Sequence, residues 1–293
     1  MLRRRLLTKE RIGILGGSGL YGMEGLRITK EVSLSTPFGT PSDSFALGEL
    51  GGREVVFLPR HGKGHRLMPS EIPFQANIYG MKTLGVGWLV SVSAVGSMKD
   101  HLHPRDIVFP DQFIDRTRLR RDTFFGDGVV AHISFADPVC ADLSRVLADA
   151  AEKCGARAHR GGTYVCIEGP AFSTRAESAL YRSWGVDVIG MTNYQEAKLA
   201  REAEMCYATM ACVTDYDCWH ETEEAVNVEM LIGNLRANTS LAQKIIAAAA
   251  PVIPQRRRCP CASALREAML TPADAIPKET RMKLEAIIGK YVK

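Results

Sequence analysis

Short apolar runs recur along the chain up to about residue 220, each closed by glycine or a polar cluster and followed by a stretch of helical period. Residues 11–16 (RIGILG), 44–50 (SFALGEL), 53–59 (REVVFLP), 87–96 (GWLVSVSAVG), 105–113 (RDIVFPDQF), 163–169 (TYVCIEG), 186–191 (VDVIGM) and 206–216 (CYATMACVTDY) read as strands, being rich in β-branched and aliphatic residues and bounded by turn signals. Helical period is predicted over 71–84, capped by Ser70 with Gln75, Asn77 and Lys82 on its polar side. It recurs over 137–155, stopped by Gly155, over 173–185, capped by Ser173, and over 196–204. This alternation of strand and helix implies an α/β chain: one domain built on a twisted mixed β-sheet flanked by helices. Neither a linker nor a repeat interrupts it. After Pro251 the text changes to IPQRRRCPC and two short helical stretches, so residues 251–293 are expected to be a peripheral helical extension of the domain formed by 1–250.

Composition narrows the classes. A net charge of +4 over 293 residues is only mildly basic, and the arginine clusters at 3–5, 118–121 and 256–258 are short, with no interleaved aromatics, so nucleic acid is not an expected partner. Each cluster reads as a solvated face. Apolar runs are too short to span a bilayer, which needs about 20 residues, and the basic start MLRRRLL is not followed by the apolar stretch of a signal peptide. A cytoplasmic protein without a membrane partner is expected. The eight cysteines read mainly as small buried hydrophobes. Cys259 and Cys261 stand apart as a C-x-C whose spacing does not suit the usual zinc knuckle; a strained redox pair and plain thiols both fit.

In α/β sheets, ligands bind beyond the carboxyl ends of strands, and four of these ends carry chemistry. GGSGLYG (16–22) follows the first strand, and its Gly17, Gly19 and Gly22 match G-x-G-x-x-G. No helix and no acidic partner follow to complete a dinucleotide site, so a loop whose N–H groups and Ser18 hydroxyl cradle one phosphate is the simpler reading. Arg60-His61 closes the strand 53–59: an arginine fork with a histidine as a second donor suits phosphate, and a surface pair is the bland reading. His65 and Met68 follow as lining for a sugar or its substituent. Ser93 and the backbone at Ala94 lie at another strand end, and Thr192 offers a hydroxyl in GMTN.

Asp215 and Asp217 close the last strand. Positions two apart in a strand face one side, and two carboxylates there repel, so at least one is expected to be tuned toward the protonated form that a general acid requires. A Mg²⁺-binding D-x-D and a solvated loop are the competing readings. With an anion cradle nearby, one chemistry joins the parts: phosphate attacks a sugar, and a leaving base takes a proton or hydrogen bond from an aspartate.

The stretches GILGGSGLYG, LPRHGKGHRLMPSEIPFQANI, DIVFPDQFIDRT, EGPAFSTRAES, GMTN and VTDYDCWHETEEAV together resemble the methylthioadenosine phosphorylases of the trimeric purine nucleoside phosphorylase family, from about Arg11 to Ala250. The resemblance implies a nucleoside phosphorylase-like fold and phosphorolysis of methylthioadenosine by inorganic phosphate, without metal or organic cofactor, in a homotrimer. It implies a phosphate site of Ser18, Arg60, His61, Ser93, Ala94 and Thr192, a ribose contact at Met191, a base-stacking ring at Phe172, and purine-reading acids at Asp215 and Asp217. Asp215 would donate toward purine N7, and Asp217 would orient the 6-amino group. It also implies a methylthio or specificity pocket that includes Ser173, His65, Met68, Val228, Leu231 and Ile232, the last three sharing a helix face by spacing alone and equally suited to an ordinary core. His132 matches a residue that reaches a neighbouring subunit's site. Ala171, where the family has a basic residue, and Gln195, where it has proline, depart from the pattern, as does the chain after Pro251. A methylthioinosine or general purine nucleoside phosphorylase on the same scaffold, and a non-catalytic nucleotide- or NAD-binding protein, are the alternatives.

Overall fold

Alternate residues of the central strands feed two opposite cores. The computed structural model describes residues 10–220 and 228–292. Its strands, in chain order, are β1 (Arg11–Gly16), β2 (Arg27–Val32), β3 (Phe45–Leu50), β4 (Arg53–Pro59), β5 (Val86–Ser97), β6 (Ile107–Phe109), β7 (Gln112–Arg116), β8 (Ala158–Arg160), β9 (Thr163–Ile167), β10 (Val188–Gly190) and β11 (Cys206–Tyr216). The helices are α1 (Phe74–Thr83), α2 (Ala141–Lys153), α3 (Arg175–Ser183), α4 (Asn193–Glu202), α5 (Val228–Ala249), α6 (Lys278–Lys283) and α7 (Glu285–Ile288). Ile12, Ile14, Trp88, Val90, Ala208 and Met210 point into one core with α2 and α5. Leu15, Leu89, Met205 and Tyr207 point into the other with α1, α4 and α7. The period of two in the strands thus produces a mixed sheet between two helical layers.

The long strand β5 decides where a ligand can sit. Its first half runs parallel to β1, with Ile12 against Trp88 and Leu15 against Ser91. Its last residues leave β1 and take antiparallel β10 instead, Ile189 against Gly96. On the other side parallel β11 follows β5 almost throughout. One path of the sheet continues β2-β3-β4-β1-β5-β10-β9-β7, and the other runs from β5 through β11 and β6 to β8. The ends of β1, β4, β10 and β11 are therefore gathered around the second half of β5, a switch point of the kind where α/β sheets bind ligands.

Local details differ from the sequence expectations for identifiable reasons. The helix placed at 71–84 starts at Phe74, because Ile72 precedes Pro73 and is held extended at φ −62°, ψ 123°; Ser70 caps nothing and bonds to Glu168. Asn77, assigned to the polar side, is buried and exchanges two hydrogen bonds with Ser42. Thr174, not Ser173, caps α3, in a reciprocal capping box with Glu177. Pro110 cannot donate to a ladder, and the single strand expected over 105–113 is two, β6 beside β11 and β7 beside β9. Residues after Pro251 are not peripheral: Leu265, Ile276, Leu284, Ile287 and Ile288 are buried in the core under α1 and α4.

Candidate active site

Arg60 leaves the end of β4 and is 3% exposed. Its main-chain N–H is tied to Gly16 O at 2.9 Å, which sets the β4 end beside the glycine loop of β1. Nε and Nη2 donate to the two oxygens of Glu196, Nη2 also to Ser91 Oγ at 2.6 Å, and Nη1 to Val92 O at 3.0 Å. Of five guanidinium N–H groups, these bonds leave one Nη1–H. The open two-pronged fork expected for phosphate is thus spent on Glu196, a residue the sequence reading did not select.

His61 is half-buried. Its Nδ1 lies 2.8 Å from Leu67 O, and since a carbonyl only accepts, Nδ1 carries the proton and Nε2 of the neutral ring is an acceptor. Burial, then the Arg60 charge, lowers its pKa from 6.5 to about 4, so the ring is neutral near pH 7. The expected second donor is therefore an acceptor, suited to a protonated phosphate oxygen. His65 stacks on it at 4.2 Å between centroids, held at φ 54°.

Beyond the end of β10, Thr192 and Asn193 open α4. Thr192 donates to Asn193 Oδ1 at 3.1 Å, and Asn193 Nδ2 donates to Thr209 Oγ1 at 2.5 Å and Tyr207 OH at 3.0 Å. Tyr207 and Ser91 both donate to Glu196. The polar groups of Arg60, Ser91, Asn193, Glu196, Tyr207 and Thr209 are therefore linked into one buried network, as a low-dielectric interior requires. Ser93 Oγ is buried beside the Tyr164 hydroxyl but makes no hydrogen bond of ordinary geometry, while Ala94 opens to the exposed side of the strand.

The carboxylates sit across β5 from this network. Register between β11 and β5 shifts at Thr214, so Val213 faces Val95 while Asp215 faces Gly96. A Cβ on Gly96 would lie 3.3 Å from Asp215 Oδ1 and 3.6 Å from Asp217 Cβ. Both aspartates therefore lie against the same bare stretch of β5, Asp215 within β11 and Asp217 just past its end. Thr214 donates to Asp215 Oδ2 at 2.6 Å, and the Ser173 hydroxyl lies 2.7–2.8 Å from both oxygens of the buried Asp217.

Other selected residues are more loosely placed. Met191 is half-buried with its Sδ where a Cβ on Gly169 would fall, at 2.6 Å. Phe172 is 78% exposed, and Met68, His65 and His132 are exposed as well. The backbone of Ser18 begins a short 3-10 turn after β1, and no α-helix opens there, which removes the structural context a dinucleotide loop needs. Val228, Leu231 and Ile232 stand in the first turns of α5. The side chains of Ser18, Val228 and Leu231 lie outside the described residues, as does the stretch 221–227, and Ile232 is 42% exposed.

Arg120, expected on a solvated face, instead has a side chain 1% exposed. It donates to Met191 O, Glu168 O and Gln195 Oε1, and pairs with the Glu168 carboxylate at 3.1 Å. Gln195, noted as a departure, is fully buried and also donates to Thr117 at 2.8 Å. Together Arg120 and Gln195 fix the carbonyl of Met191. The available signal was Glu168-Gly169-Pro170 beside a strand end; nothing local distinguishes Arg120 from its exposed neighbours.

A buried polar network at the ends of β4 and β10 thus lies across the switch-point strand β5 from two acids. The chain matches the Phosphorylase superfamily over residues 11–251 and belongs to it. Within that superfamily it is similar to the S-methyl-5'-thioadenosine phosphorylase of Geobacter sulfurreducens, 61% identical over 282 residues that cover 96% of this chain and 99% of that one. Its similarity to the S-methyl-5'-thioadenosine phosphorylase of Gloeobacter violaceus is 60% over 289 residues, covering 97% and 96%. Among solved structures it resembles a methylthioadenosine phosphorylase from an antarctic soil metagenomic library (TM-score 0.91, 51% identity, covering 96% of this chain and 99% of that one). It also resembles the methylthioadenosine phosphorylase of Schistosoma mansoni in complex with adenine (TM-score 0.82, 35% identity, covering 88% and 96%).

Proposed function

We propose that the chain catalyses the reversible phosphorolysis of S-methyl-5'-thioadenosine to adenine and 5-methylthioribose 1-phosphate, a purine and methionine salvage reaction. The observation that carries this reading is the placement of Asp215 and Asp217 over Gly96, on the strand that also bears Ser93 and Ala94. A nucleoside bound along β5 would then have its base at the acids and its C1' toward the anion-binding end.

In this reading phosphate is held by the Ser18 loop, the remaining Nη1–H of Arg60, Ser93, the Ala94 backbone and Thr192, with His61 Nε2 accepting from a protonated phosphate oxygen. Met191 supports the ribose, and Phe172 stacks on the base. As the C1'–N9 bond breaks and a C1'–oxygen bond forms, the sugar carries positive charge that the held phosphate offsets. Asp215 passes a proton to N7 of the departing adenine and is reprotonated at the expense of the phosphate. Asp217, oriented by Ser173, accepts from the 6-amino group, and a 6-oxo group there would meet a carboxylate. These groups account for every bond change, so the reaction is proposed to need phosphate as co-substrate and no metal or organic cofactor. His65, Met68, Val228, Leu231 and Ile232 would line the methylthio end.

A homotrimer is proposed because Phe172 and His132 are exposed in the single chain, leaving the site open where a neighbour's His132 could close it. Among the described residues no helix is long and apolar enough to cross a membrane, and a cytoplasmic location is part of the proposal. The test is base release from methylthioadenosine, methylthioinosine and inosine, with and without phosphate. Phosphate-dependent adenine release, with both hypoxanthine nucleosides poor, supports the reading. Faster hypoxanthine release would make the chain a 6-oxopurine phosphorylase and overturn the roles given to the aspartates.

A further inference from the structure

The C-x-C near the C-terminus does not stand alone. Cys140, the residue before α2, Cys206, the first residue of β11, and Cys259 and Cys261 bring four sulfurs within 4.8 Å of one another. Cys259 Sγ lies 3.2 Å from Cys206 Sγ and 3.8 Å from Cys140 Sγ. With Zn–S bonds of about 2.3 Å, a tetrahedral tetrathiolate has sulfur–sulfur edges of about 3.8 Å. Cys140, Cys206 and Cys261 are each no more than 4% exposed, and Cys259 packs against the same core. The C-x-C spacing by itself did not suit the usual zinc knuckle, and the resemblance implied no metal; the fold adds two further thiols from distant elements.

We propose that Cys140, Cys206, Cys259 and Cys261 form a structural zinc site that fastens the C-terminal segment to the sheet. Each thiol would release its proton to solvent as its sulfur bonds the metal, with no change of oxidation state. Four thiolates and Zn²⁺ leave two negative charges, and Arg257, two positions before Cys259 with its side chain 11% exposed and anchored by Glu10, is the neighbouring cation. A soft, closed, four-sulfur set selects zinc or iron over calcium or magnesium, and a closed set is structural, since no position is left for a substrate. Nine strand steps along β11 lead from Cys206 to Asp215, about 30 Å at strand rise, so the site is apart from the reaction and its existence does not depend on the function proposed above.

The test is elemental analysis of the full chain purified with reductant and without chelator, together with cobalt replacement of the bound metal. One zinc per chain is expected, with the intense thiolate-to-cobalt charge transfer and visible bands of a tetrahedral four-sulfur complex in the cobalt form. Cys259→Ser should lose the zinc and lower Tm, with kcat/KM little changed at temperatures where it stays folded. Should that variant not fold, the cobalt spectrum of the unmodified protein decides. Stoichiometric iron, four freely reactive thiols with no metal, or a mass showing two disulfides among these cysteines would each overturn the proposal.

Discussion

Arg60 and Glu196, separated by 136 positions, form a buried ion pair with side chains 3% and 2% exposed. Burying either charge alone is costly, so each residue makes the other tolerable there. The pair also holds the guanidinium: with Nε and Nη2 engaged and Nη1 bonded to Val92 O, one Nη1–H is left, the one assigned to phosphate in the proposed reading. Glu196→Gln is predicted to cost about 3 kcal/mol of stability, the low end for breaking a buried pair because the amide can still accept one bond. It should also raise the KM for phosphate. Denaturant unfolding and phosphate-dependence kinetics check the two effects, and unchanged stability would contradict the pairing.

Asp215 is assigned the proton on N7. Asp215→Asn should depress adenine-nucleoside turnover and raise relative use of 6-oxopurine nucleosides, changing the preference ratio by at least about tenfold, the scale on which a mispaired buried polar group discriminates. Paired kcat/KM values for methylthioadenosine and methylthioinosine measure it. A ratio that stays put removes the role.

Ser173 contributes through Asp217, whose carboxylate its hydroxyl orients. A hydrogen bond to a charged acceptor is worth about 1.5–3 kcal/mol, so Ser173→Ala is predicted to lower kcat/KM for methylthioadenosine about tenfold or more. Because Thr174 and not Ser173 caps α3, the helix end is kept, and Tm should fall only by what the lost bond to Asp217 contributes. A large loss of stability with normal kinetics would be the opposite of this expectation.

His61 makes stability depend on pH. Its folded pKa, about 4, lies below the unfolded value of 6.5, so above pH 6.5 the ring is neutral in both states and adds no dependence. As pH falls from 6.5 toward 4 the unfolded chain takes up a proton that the folded protein refuses, and stability drops; below about 4 the effect is complete. Glu202 acts oppositely. Burial raises it from 4.5 to about 7, so the folded state holds the extra proton between those values and gains stability as pH falls. Comparing His61→Asn with the unmodified protein isolates the first effect, since Glu202 is common to both. The variant's Tm should decline less from pH 6.5 to 4, and a direct imidazole titration by NMR should find His61 unprotonated through pH 5.

The chain subunits are predicted to depend on one another for activity. If His132 closes a neighbour's site, specific activity should fall as the protein is diluted to monomers, in step with the loss of trimer measured by light scattering. Full activity in a monomer would dispose of this role.

By itself the sequence determined much of what is local: apolar runs that read as strands, a helix ended by Gly155, glycine at the first strand end, Arg60-His61 at another, and two aspartates two positions apart. Long ordered motifs also made the superfamily legible. Tertiary structure decided which polar groups meet. Nothing near Arg120 marks it as the buried member of RLRR, nothing near Glu196 names Arg60, and Cys259-x-Cys261 looked incomplete until α2 and β11 supplied Cys140 and Cys206. The reason is physical: hydrophobic period reports only which face of an element avoids water. The partner of a buried charge is set instead by strand register, such as the shift at Thr214 that brings Asp215 opposite Gly96, and by packing between residues more than a hundred positions apart.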